Sequence, residues 1–155
     1  MVVLPRISID TNLNEGLCFG CGHNNPIRLK LSFTRDGDTC QAEFTPGQAH
    51  QGWPGFVHGG ILTCLLDEAM SYAAYFKGIT CLTTSMQIRL RQPVKVEVPL
   101  VITASVTRNR KKLIEASASV CLKDGTIIAE STSKQFVVDH KPVHSDVSEE
   151  SCPDA

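Results

Sequence analysis

Two strand-like runs open the patterned part of this chain: IRLKLSF around Arg28 to Phe33 and TCQAEFT around Thr39 to Thr45, with TRDGD between them as a hairpin turn. After a loop that carries the only tryptophan, PGQAHQGWPG (Pro46 to Gly55), the period changes. HGGILTCLLDEAMSYAAYF, from His58 to Phe76, reads as a helix of about five turns that stops at Lys77 and Gly78. Four more strands follow. Cys81 to Arg91 alternates, which predicts Leu82, Thr84, Met86, Ile88 and Leu90 on one side and Thr83, Ser85, Gln87, Arg89 and Arg91 on the other. Val98 to Thr107 is largely β-branched, with RNRKK (Arg108 to Lys112) as its turn. Leu113 to Lys123 alternates again, KDGT turns the chain, and Ile127 to Val138 is the last strand. The order β-β-α-β-β-β-β, with short turns joining the last four strands, predicts an antiparallel sheet against one helix, an α+β arrangement.

Placed at 100° steps, Ile61, Leu62, Leu65, Leu66, Ala69, Ala73 and Phe76 form one broad apolar face of the helix. The opposite face carries Thr63, Met70, Ser71 and Ala74, with none of the Lys, Glu or Arg that a wet face attracts. A helix apolar nearly all round is a buried one. Between Gly59 and Phe76 its only ionisable side chains, cysteine and tyrosine apart, are Asp67 and Glu68. The residues three and four away from Asp67 are Thr63, Cys64, Met70 and Ser71, so no cation on the helix neutralises it. Burying an unpaired carboxylate is costly, which makes Asp67 a functional candidate and not merely a solvated surface group. Gly59 and Gly60 leave their backbone N–H groups uncovered at the positive end of the helix, a suitable place for a polarised carbonyl or an oxyanion. Close packing or a tight opening turn is the alternative role for these glycines. An open helix N-terminus two turns before such a carboxylate suggests acyl transfer or hydrolysis.

At 155 residues the chain is long enough to bury a core without a metal or disulfide staple. Its net charge of -1 offers no field for nucleic acid or a membrane surface, and no apolar run approaches the about 18 residues of a membrane span. The opening MVVLPRISIDTN breaks at Pro5 and Arg6, too early for a secretory signal. Seven cysteines, odd in number and irregularly spaced, fit a reducing compartment, so a cytoplasmic location is expected. Residues 1–17 read as a polar N-terminal segment, 18–138 as one domain, and 139–155 as a disordered acidic tail. CFGCGHNNP (Cys18 to Pro26) is a structured loop. Cys18 and Cys21 have zinc-ligand spacing, to which His23 or Cys40 would add, but a second CxxC is missing. A redox pair and a plain structural turn are the other readings, and no metal or cofactor is expected.

Together these residues resemble the hotdog-fold acyl-CoA thioesterases, in particular their PaaI-like group. The resemblance rests on GFVHGGILTCLLDEAM (Gly55 to Met70), with a carboxylate nine positions after the histidine of HGG, on the order of the elements from Cys18 to Val138, and on the opening CFGCG..NP. It implies one long central helix wrapped by an antiparallel sheet of about five to six strands, and hydrolysis of an acyl-CoA by a homodimer or homotetramer whose site lies between subunits. Carried over by position, it makes Asp67 the general base or nucleophile, the N–H of Gly59 the oxyanion donor, and Thr83 a water-positioning hydroxyl. Gln51 is the nearest amide where relatives have an asparagine, and Glu68 is the competing base. His58 orients the turn or shuttles a proton. Gly60, Trp53 and Phe56 line the substrate side or simply pack there. Arg108, Arg110, Lys111 and Lys112 either meet the CoA phosphates or form a solvated hairpin tip. A dehydratase acting on acyl thioesters and a non-catalytic acyl-CoA binding module are the competing functions.

Overall fold

In the computed structural model, which describes residues 16–140, the elements are β1 (Thr34–Asp36), β2 (Thr39–Phe44), α1 (Gly59–Tyr75), β3 (Ile79–Leu90), β4 (Leu100–Arg110), β5 (Leu113–Leu122) and β6 (Ile127–His140). The strands form one antiparallel sheet in the order β1-β2-β4-β5-β6-β3, and α1 packs along it. The architecture is the α+β one expected, a single helix held against six strands. The segments expected at 1–17 and 139–155 lie outside the described residues, except for 16 and 17 and for 139 and 140, where β6 continues to His140.

Burial follows from how the helix is covered. From Ile61 to Ala74 no helical residue is exposed, and Met70 and Ala74, on the side opposite the predicted apolar face, are fully buried. The sheet covers one side through Ile102, Ala104, Ala116, Ala118 and Val120, and the segment from Gly16 to Phe33 covers the other. There Leu29, Leu31 and Phe33 are buried, and the Phe33 ring stacks on Tyr72 with centroids 4.7 Å apart.

Three predicted details are corrected. Arg28 to Phe33 is not a strand: Lys30 has a φ of 59°, and the N–H groups of Leu29 and Leu31 donate to the carbonyls of Phe19 and Gly20, so the segment folds back on its own loop. The alternation still sends its apolar residues inward. RNRKK is not wholly a turn, because β4 runs through Arg108 to Arg110 and only Lys111 and Lys112 reverse the chain. Finally, β3 does not keep one phase. Its pairing with β6 shifts between Thr83 and Ser85, so Thr84 is an extra residue. Before the bulge Cys81 and Thr83 face inward and Leu82 is exposed, while after it Met86 and Ile88 pack on the core.

Candidate active site

The N-terminus of α1 is shaped by its cap. His58 has extended backbone angles, and its Nδ1 accepts the N–H of Gly60 at 2.8 Å. Gly60 is therefore not an open donor, as the sequence suggested. The N–H of Gly59 has no acceptor among the described residues and is the free donor at the positive end of the helix. Gly59 also lines a cleft of about 810 Å³ walled by Trp53, Phe56, His58, Leu62 and Leu90. Trp53 is 85% exposed there, so the cleft presents a large apolar surface. Gln51 is committed to the loop, its Oε1 accepting from the N–H of Gly55 at 3.0 Å.

Two turns along the helix, Asp67 and Glu68 diverge, because adjacent helical residues point about 100° apart. Asp67 turns toward the sheet, where Thr83 Oγ1 donates to its Oδ1 at 2.7 Å. Behind Thr83 stands Gln135, completely buried, whose Nε2 donates to Thr83 Oγ1 at 3.4 Å and whose Oε1 accepts from the Cys81 thiol at 3.2 Å. Asp67 has no ion-pair partner among the described residues. Glu68 turns the other way, to the Gly16 to Phe33 segment, with Oε1 3.3 Å from Cys18 Sγ. Burial, and then the charge of Cys18, push the Glu68 carboxyl up to about 7. Hydrogen bonding from the Cys21 thiol is the main effect that lowers Cys18.

The structure therefore joins Thr83 to Asp67 and gathers Gly59, His58, Trp53 and Phe56 around one cleft. It separates Glu68 from Asp67. Arg108, Arg110, Lys111 and Lys112 are all exposed at the β4–β5 turn, with Arg108 3.9 Å from Glu115. The cation that lines the cleft is Arg91, ion-paired with Glu130, and sequence reasoning missed it. It also missed Gln135. The signal was available: counting by twos along the last strand from buried Ala129 through Ser131 and Ser133 places an amide in the interior.

Residues 54–129 match the family model described as Thioesterase superfamily. Over that stretch the chain is similar to the thioesterase superfamily. It is similar to the human acyl-coenzyme A thioesterase THEM5, 28% identical over 94 residues, a stretch covering 61% of this chain but 38% of that protein. Thus it matches well under half the length of that curated relative. Among solved structures it resembles smu.793 from Streptococcus mutans bound to acetyl CoA, with a TM-score of 0.69, 17% identity, and coverage of 77% of this chain and 99% of that one. The E. coli PaaI protein from the phenylacetic acid degradation operon has a TM-score of 0.68 and 19% identity, with 73% and 83% covered. The fold is the hotdog fold of the thioesterase structures.

Proposed function

We propose that the protein is a cytoplasmic acyl-CoA thioesterase of the PaaI-like group, hydrolysing its substrate to free acid and CoA. The observation that carries this reading is Asp67: a carboxylate on a helix without an exposed residue from Ile61 to Ala74, paired with no cation among the described residues, and held by a hydroxyl at 2.7 Å. Such a group is arranged to take a proton. Water loses its proton to Asp67 as its oxygen attacks the thioester carbon. The oxygen that gains charge rests on the N–H of Gly59, and the C–S bond then breaks, the departing CoA thiolate taking up the proton held by Asp67. The apolar cleft at Gly59 receives the acyl chain, with Trp53 and Phe56 as its walls. Arg91 and the exposed cations between Arg108 and Lys112 supply positive charge for the nucleotide phosphates. His58 spends Nδ1 on its cap, which counts against a dehydratase using it as a shuttle.

Helix geometry supports a site shared between two chains. Gly59 and Asp67 are eight residues apart, which is about 12 Å along the axis, whereas a reacting carbonyl must lie within about 3 Å of its donor and close to the activated water. No single copy can bring both to one thioester. A site formed by Gly59 of one protomer and Asp67 of another removes the conflict. It also gives the exposed Trp53, Phe56 and Leu90 a surface to meet.

The test is thiol release from a panel of aromatic and aliphatic acyl-CoAs, run with wild type and Asp67→Asn. Hydrolysis that falls at least ~10²-fold in the variant is expected, the lower end for a general base. No turnover across the panel by a folded oligomer would leave a binding module. An unchanged rate in Asp67→Asn would end the role given to that residue.

A further inference from the structure

We propose that Cys18, Cys21 and Glu68 form a binding site for a zinc-class cation, which ties the Gly16 to Phe33 segment to the central helix. The thiol of Cys18, the thiol of Cys21 and a carboxylate oxygen of Glu68 all lie within 4.8 Å of one another. Zinc bonds of about 2.3 Å to sulfur and about 2.1 Å to oxygen, in a tetrahedron, space a thiolate and a carboxylate oxygen about 3.6 Å apart. Cys18 Sγ and Glu68 Oε1 are at 3.3 Å, so only small side-chain movements are required. Two thiolates select a zinc-like ion over magnesium or calcium, which prefer oxygen alone.

Charge points the same way. Three groups that become anionic converge on a partly buried spot, and no Lys, Arg or His among the described residues forms an ion pair with Glu68. A divalent ion would neutralise them together. The loop also presents its donors in a fixed way. Gly22 N–H donates to the carbonyl of Cys18 at 2.9 Å, and a Cβ on Gly22 would fall 2.3 Å from Cys18 N, so the turn closes around the two thiols only with glycine there. A Cβ on Gly20 would lie 2.6 Å from Glu68 Cδ, so the loop backbone rests directly on the third donor. Cys40, a ligand considered from the sequence, is in the core with its thiol on the carbonyl of Ala69. His23 is not among the converging donors. Cys18 is exposed, leaving the fourth position to water.

The experiment loads reduced, full-length protein with Co²⁺ and, separately, with Zn²⁺. One ion per chain should survive gel filtration. The cobalt form should show a thiolate charge-transfer band in the near ultraviolet and the visible bands of tetrahedral cobalt. Both should be lost in Cys21→Ser and kept in Cys121→Ser, a cysteine far from the site in sequence and on β5. Glu68→Gln should keep the charge-transfer band but bind at least about tenfold more weakly. Should Cys21→Ser fail to fold, alkylation of wild type decides: Zn²⁺ should protect Cys18 and Cys21 and leave Cys121 reactive. Reduced wild type that retains no ion, or Cys21→Ser that retains as much as wild type, overturns the proposal. So does a protein that forms a Cys18–Cys21 disulfide but takes up no metal when reduced, since the pair is then a redox couple.

Discussion

A threonine hydroxyl donates one hydrogen bond and accepts others. At Thr83 the accepting side is met by Gln135 Nε2 at 3.4 Å, which leaves the proton for Asp67 Oδ1 at 2.7 Å. The amide therefore sets the direction of the hydroxyl, and the hydroxyl sets the orientation of the carboxylate. Hydrogen bonds to charged groups contribute roughly 1.5–3 kcal/mol. Accordingly, Thr83→Val should lower kcat by about tenfold or more with KM little changed, while Thr83→Ser should keep most of the rate. Steady-state kinetics on the best acyl-CoA of the panel checks both, and a rate in Thr83→Val equal to wild type would separate the hydroxyl from the chemistry. Asp67 and Thr83 were both legible as candidates, one from the uncharged helix around it and the other from the resemblance, and the structure brings the two side chains together. The outlook of Glu68 was not. A helical wheel gives the angle of a side chain but not which distant segment covers it, and here the cover comes from 50 residues earlier.

Among the elements, the central helix and the order of elements along the chain could be read from the sequence because the helical period is long and clean. The phase of β3 could not. Its residues alternate without a break on paper, and nothing in ITCLTTSMQIRL marks Thr84 as the extra residue. The bulge is decided by β6, where Gln135 pairs with Thr83 and Lys134 with Ser85. The first strand failed for a comparable reason: IRLKLSF has the apolar spacing of a strand, but its hydrogen bonds go to Phe19 and Gly20 and not to a neighbouring strand. That folded-back segment is held at very close range. Because a Cβ on Gly20 would overlap the Glu68 carboxyl group and force that side chain aside, Gly20→Ala should destabilise the protein by about 1 kcal/mol, the low end for overpacking. In a Glu68→Ala background the same change should cost much less. Urea unfolding of the four proteins in this cycle measures the coupling, and equal costs in both backgrounds would show that the loop does not rest on Glu68.

For the whole molecule, the separation of Gly59 from Asp67 along one helix makes a test of assembly possible. In a symmetric dimer whose two sites each take Gly59 from one chain and Asp67 from the other, Gly59→Val and Asp67→Asn are each inactive. Unfolding and refolding them together should restore about a quarter of wild-type activity, since half the dimers are mixed and each of those has one intact site. If activity does not return although mixed dimers form, both groups act within one chain. The way the helix is covered has a further consequence, for the order in which the protein can be made. A helix with no wet side from Ile61 to Ala74 has no stable place in water until its sheet exists. On one flank that sheet is completed by β3, whose only strand partner among the described residues is β6, the last of the six strands to leave a ribosome. Until β6 has emerged, the nascent chain carries a complete but unsheltered apolar segment. Folding is thus postponed until β6 has been made, and a chain interrupted before residue 127 is left with its greasiest stretch in search of any surface that will cover it.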